Sequence, residues 1–169
     1  MQIVVEYSLC PPFQVVQLLD EIYCTLDCVL KCYDVYKVET IGDAYMVVSG
    51  LPNKTNFHAG NIASMALHIL SEAKCFDISK ICNLKQKQFL KVRIGIHSGP
   101  VAAGVVGMSR PRYCLFGDTV NTASRMESTG EPLKIQISSA CNFELQKHGG
   151  YLTEERGRIS IKGNFNIME

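Results

Sequence analysis

From Phe13 to Lys31, apolar residues recur every three or four positions, at Val15, Leu18, Leu19, Ile22, Leu26 and Val29, with Gln17, Asp20, Glu21 and Asp27 between them. That spacing predicts an amphipathic helix entered through Pro11 and Pro12. β-Branched and aromatic runs follow at residues 35–40 and 44–48, separated by Ile41, Gly42 and Asp43. They predict a hairpin with Asp43 at its tip. The helical period returns over residues 58–72, where Ile62, Met65, Ala66 and Ile69 make one face.

Residues 74–91 mix Cys, Asp, Asn and five lysines without a clean period, which predicts an irregular surface connection. A strand is expected over residues 92–97, with 101–107 as its continuation or partner, the glycines permitting close backbone approach. Residues 113–116 read as a short strand leading to Gly117. A helix is then expected over 119–127, capped by Asp118 or Thr119 and ended by Gly130. A strand at 133–137, a helix from Ser138 or Ser139 to about His148, and strands near 151–153 and 159–162 complete the chain. Helices alternating with hairpins predict an α+β sandwich with helices over one face of a largely antiparallel sheet.

At 169 residues the chain is the size of one domain, able to bury roughly two-thirds of its unfolded surface, so residues 1–169 are expected to form a single domain. A formal net charge of +1 gives no reason for a nucleic-acid partner. No apolar run of about 18 residues suits a membrane, and the N-terminus lacks the pattern of a signal peptide. The expectation is therefore a cytoplasmic chain with no membrane contact of its own. The eight cysteines are expected to be reduced thiols, since a chain this long and apolar needs no disulfide scaffold. Cys24, Cys28 and Cys32 share a helical face but lack the second ligand pair of a zinc site.

Three blocks carry a resemblance: residues 34–52 (DVYKVETIGDAYMVVSGLP), residues 93–100 (RIGIHSGP) with 103–107 (AGVVG), and residues 111–128 (PRYCLFGDTVNTASRMES). They closely resemble the class III nucleotide cyclases, in particular the membrane-receptor guanylyl cyclases, in the family's order and at nearly its spacing. The resemblance implies a ferredoxin-like core with extra elements, working as a homodimer or as a heterodimer with another cyclase domain. It implies GTP as substrate, 3′,5′-cyclic GMP and pyrophosphate as products, Mg²⁺ or Mn²⁺ as cofactor, and a place on the cytosolic side of a plasma-membrane receptor. One subunit would supply two metal-binding aspartates, and the facing subunit the base and phosphate contacts.

Individual residues follow from those blocks. Asp43 matches one metal aspartate; alone it would be a turn residue. Glu39 and Cys114 match the positions that read the base, because a carboxylate accepts guanine's ring N–H and amino protons while a thiol approaches O6. Arg112, two residues before Cys114 on the same strand face, is expected to support them. Asn121 and Arg125, four apart on one helical face, match the residues that orient the ribose and meet charge on the phosphates. Lys134 and Lys162 match triphosphate contacts. As isolated residues, the pair would be a solvated helix face and the lysines ordinary surface.

Two departures stand out. The family's first metal aspartate lies in an Asp-Ile-Val-Gly-Phe-Thr segment on the first core strand, and residues 1–7 contain no aspartate. The expectation is an N-terminally truncated domain, its first core strand partly or wholly missing, which would leave a sheet edge unpaired. After Lys162 the tail is short and atypical. A second reading is therefore a catalytically inactive cyclase-like subunit that binds nucleotide or pairs with an active domain.

Overall fold

The structure, a computed structural model, describes residues 1–6, 10–109, 111–161 and 164–168. In chain order its elements are β1 (Gln2–Glu6), α1 (Pro12–Leu30), β2 (Tyr36–Ile41), β3 (Ala44–Val48), α2 (His58–Cys75), β4 (Lys91–Ile96), β5 (Ala102–Val106), β6 (Arg112–Phe116), α3 (Asp118–Ser128), β7 (Ile135–Ile137), α4 (Ser139–His148), β8 (Arg158–Ile161) and β9 (Asn164–Met168). Five strands form one sheet in the order β2-β3-β1-β4-β7, while β5–β6 and β8–β9 are separate antiparallel pairs.

The first core strand, expected to be partly or wholly missing, is present. β1 takes the centre of the sheet, antiparallel to β3 on one side and β4 on the other. Its alternation explains the placement: Met1 and Ile3 are buried, Gln2 and Val4 less so, and Ile3 stands between Tyr45 and Ile94. An apolar residue at every second position fills a slot whose helix-covered face is apolar throughout.

α1 buries Leu18, Ile22, Leu26 and Val29, and α2 buries Ile62, Met65, Ala66 and Ile69, as their periods predict. Both pack with Ile3, Tyr45, Val47, Val92, Ile94 and Ile96 in one core cluster. The helices nevertheless occupy both faces of the sheet. α3 lies on the other side, where Gly95 lets it approach: a Cβ there would sit 2.1 Å from the Glu127 backbone nitrogen.

Three local expectations are corrected. Residues 151–153 form no strand; the Tyr151 hydroxyl instead bonds Ser64 Oγ at 2.8 Å and donates to the Gly60 carbonyl at 3.0 Å. The irregular connection after α2 is partly core, since Ile78, Cys82 and Leu90 are buried. Cys82 is also joined to Cys10 in a disulfide with a Cα–Cα distance of 4.7 Å, so the thiol expectation fails for that pair; the fold, not the sequence spacing, decides which cysteines meet. Cys24, Cys28, Cys32, Cys75, Cys114 and Cys141 are free.

Candidate functional site

The β2–β3 hairpin places Asp43, half-buried, in the turn beside Gly42, whose φ of 60° suits glycine. From α1, the Tyr23 hydroxyl donates to the Gly42 carbonyl at 2.5 Å. One helical turn on, Asp27 accepts from Lys37 Nζ at 2.9 and 3.1 Å and from the Tyr45 hydroxyl. Burial pushes the Asp27 carboxyl up, but the hydrogen bonds from Tyr45 and Lys37 outweigh it and hold the group below its ordinary value. Burial and the Asp27 carboxylate both raise the Tyr45 phenol. Two residues four apart on one helix thus hold the turn and both strands of the hairpin.

β2 carries an irregularity. Lys37 pairs with Val47 and Glu39 with Met46, leaving Val38 as an extra residue. Glu39 is half-buried. β6 approaches β2 through Tyr36 and Tyr113, whose rings meet edge to face at 5.5 Å. On β6, Arg112 is exposed and Cys114 half-buried, sharing a strand face as expected. The hairpin of β5 and β6 leaves Val105, Val106 and Phe116 exposed, together with Met108 in its turn.

α3 starts from Gly117, with φ 134° and no side-chain cap, rather than from Asp118 or Thr119. Thr119 instead donates to the Pro100 carbonyl at 2.6 Å, tying the helix start to the loop after β4. Asn121 is exposed. Arg125 Nη1 lies 3.6 Å from Asp118 Oδ1, yet that nitrogen is buried and makes no hydrogen bond among the described residues. That nitrogen is closed off from solvent beside the Asp118 carboxylate. Behind α3, on the side away from Asn121 and Arg125, is a cavity of about 640 Å³ lined in part by His58, His97, Thr119, Val120 and Ala123. His97 bonds Ser138 Oγ at 2.6 Å, and burial lowers its pKa below the usual histidine value.

Lys134 is exposed and paired with Glu131 at 2.6 Å, at the end of the sheet that also bears Asp43. Lys162 lies outside the described residues. The candidates therefore sit on separate elements: Asp43 at the hairpin tip; Glu39 on β2, the strand whose Tyr36 meets Tyr113; Arg112 and Cys114 on β6; Asn121 with Arg125 on α3; and Lys134 beyond β4. Among the described residues no three His, Cys, Asp or Glu side chains are close enough to hold a metal. Asp43 alone does not fit a two-metal centre.

Sequence reasoning missed Tyr23, Asp27 and Lys37. One signal was available: Tyr23 and Asp27 stand four apart on a helix read only for its apolar stripe. Asp118, expected as a cap, is instead the ion-pair partner of Arg125.

A family model described as the adenylate and guanylate cyclase catalytic domain matches residues 3–169. Receptor-type guanylate cyclase Gyc76C of Drosophila melanogaster is 57% identical over 159 residues, covering 93% of this chain and 10% of that protein. The speract receptor of Strongylocentrotus purpuratus is 55% identical over 157 residues, covering 92% of this chain and 14% of that protein. The chain thus spans a small part of the relatives it matches. Among solved structures, the guanylate cyclase domain of RhGC from Catenaria anguillulae in complex with GTP superposes with a TM-score of 0.85 at 34% identity, covering 96% of this chain and 87% of that one.

Proposed function

The chain belongs to the adenylate and guanylate cyclase catalytic domain family, and from that premise we propose that it acts on GTP, giving 3′,5′-cyclic GMP and pyrophosphate on the cytosolic side of a receptor. The observation that carries the choice of base is the turn of Glu39 onto the sheet face opposite α1 and α2, on the strand whose Tyr36 meets Tyr113 of the strand that bears Cys114. There the Glu39 carboxylate accepts guanine's N1–H and amino protons, and the Cys114 thiol and Arg112 attend its O6 edge. Adenine presents the reverse pattern and would leave a polar group unpaired.

In the reaction the ribose 3′-hydroxyl gives its proton to solvent as its oxygen bonds to the α-phosphorus, and the bond from that phosphorus to the bridging oxygen of pyrophosphate breaks. Asn121 orients the ribose. Arg125, its Nη1 held 3.6 Å from Asp118, meets charge that builds on the phosphates, where a fixed cationic fork acts without reorganising. Lys134 and Lys162 hold the triphosphate. Mg²⁺ or Mn²⁺ is the expected cofactor, and Asp43 is the one described residue assigned to it.

The separation of Asp43 from the other groups supports a two-chain site, in which Glu39, Cys114 and Arg125 of one chain face the metal carboxylates of another. The apolar hairpin of β5 and β6, with Val105, Val106 and Phe116 exposed, suits the contact. That Asp43 is the one described residue assigned to the metal also favours a second reading, in which this chain supplies the base and phosphate half to a partner with both aspartates. One mixing experiment tests both. The purified chain is assayed for cyclic GMP alone and together with a cyclase domain that keeps both aspartates but has its base-reading glutamate replaced. Turnover by the chain alone supports the homodimer; turnover in the mixture only, lost with Arg125→Lys and kept with Asp43→Asn, supports the complementing role. No turnover in either sample, with dimers present, sinks the cyclase proposal.

A further inference from the structure

Successive residues of a regular strand face opposite ways, so Lys37 and Glu39, two apart, would ordinarily share a face. Here they do not. Between the pairs Lys37–Val47 and Glu39–Met46, β2 advances two residues while β3 advances one, with Val38 left over. Val47 and Tyr45 are buried in the core beneath the first two helices, so Lys37 lies on the helix side. Met46 and Glu39 lie on the other. A bulge of this kind converts the face presented by everything beyond it.

The local sequence, YKVETI, contains no glycine to demand a bulge. The residues just before it are held from outside the strand. On the helix side, Lys37 Nζ donates to both Asp27 oxygens at 2.9 and 3.1 Å and stands 4.7 Å from the centroid of the Tyr45 ring. The Tyr45 hydroxyl donates to the same carboxylate. On the opposite side, Tyr36 is held by the Tyr113 ring at 5.5 Å. Consecutive residues are thus clamped to opposite faces, and the extra residue follows at once. Without the clamp, a slip of one residue would carry Glu39 to the helix side.

We infer that Asp27 is a specificity-positioning residue: by anchoring Lys37 it fixes the register of β2 so that Glu39 faces the nucleotide, and it thereby sets the preference for GTP over ATP. The inference rests on the base-reading role proposed for Glu39. Asp27 lies on α1, across the sheet from Glu39, and acts only through Lys37 and the strand.

The test compares dissociation constants for mant-GTP and mant-ATP, by fluorescence, in the unaltered chain and in Asp27→Asn, Lys37→Met, Lys37→Arg and Glu39→Gln. The ratio of the two constants is the readout, because a variant that merely loosens the fold weakens both nucleotides alike. The unaltered chain prefers mant-GTP. Asp27→Asn and Lys37→Met each cut that preference by about tenfold, the scale on which a misplaced hydrogen bond to a charged group is felt. Lys37→Arg, which keeps a cation for Asp27, stays within about threefold of the unaltered ratio. The side chains of Lys37 and Asp27 are 34% and 46% exposed, so folded variants are expected, and circular dichroism verifies this. Should one fail to fold, the other carries the comparison.

An unchanged ratio in folded Asp27→Asn and Lys37→Met, with Glu39→Gln losing the preference, overturns the positioning role alone. An unchanged ratio in Glu39→Gln, or no preference in the unaltered chain, removes the base-reading role and this inference with it.

Discussion

Gly95 on β4 lies so close to α3 that an added Cβ would stand 2.1 Å from the Glu127 nitrogen and 2.5 Å from the Ala123 carbonyl oxygen. Neither backbone atom can swing aside as a side chain would. Gly95→Ala must therefore lift α3 off the sheet, disturbing the Arg93–Glu127 ion pair at 2.9 Å and moving Asn121 and Arg125. The expected loss is about 2–4 kcal/mol of stability, read from the shift in urea midpoint.

Asp27 gives a signed pH dependence. Its folded carboxyl lies below the ordinary value, so it is charged in the folded state at pH values where the unfolded chain begins to take up a proton. The stabilisation is fully present above the unfolded value of about 4 and drains away as pH falls through the lower folded one. Melting temperatures from pH 6 to pH 2 should show a steeper acid decline in the unaltered chain than in Asp27→Asn. Parallel curves would dismiss the contribution.

The Cys10–Cys82 bond closes a loop of 72 residues in sequence separation, which removes freedom chiefly from the unfolded chain. Reduction is expected to lower stability by about 2–4 kcal/mol. Cys10→Ser should melt at the same temperature with or without dithiothreitol, while the unaltered chain falls to meet it on reduction.

Arg125 Nη1 stands 3.6 Å from the exposed Asp118 carboxylate without a hydrogen bond, a weak pairing, so what it loses on replacement belongs mainly to the bound state. Arg125→Lys, retaining charge but not the planar fork, should cut turnover in an active dimer about a hundredfold. Its melting temperature should stay within a few degrees, a change in line with about 0.5 kcal/mol for a partly exposed replacement. A large fall in melting temperature would instead mark Arg125 as structural.

Local pattern fixed much of the outline. The period from Val15 to Val29 became α1, the runs around Ile41–Asp43 became the β2–β3 hairpin, and Ser138 caps α4 by accepting from the Cys141 amide. Such features depend on neighbours within a few residues, which a sequence displays directly. The first strand is legible only as the alternation of Met1 and Ile3 with Gln2 and Val4, a run too short to stand out without its partners β3 and β4.

The sequence by itself determined the element types, the family blocks, and which residues were worth watching: Asp43, Glu39, Cys114, Asn121 and Arg125. Only the tertiary structure decided that α3 crosses to the far face over Gly95, that Cys10 meets Cys82, and that Glu39 leaves the face of Lys37. Each of those outcomes turns on contacts between residues remote in the chain, and a single extra residue such as Val38 reverses a strand's facing without altering the local pattern that predicts the strand.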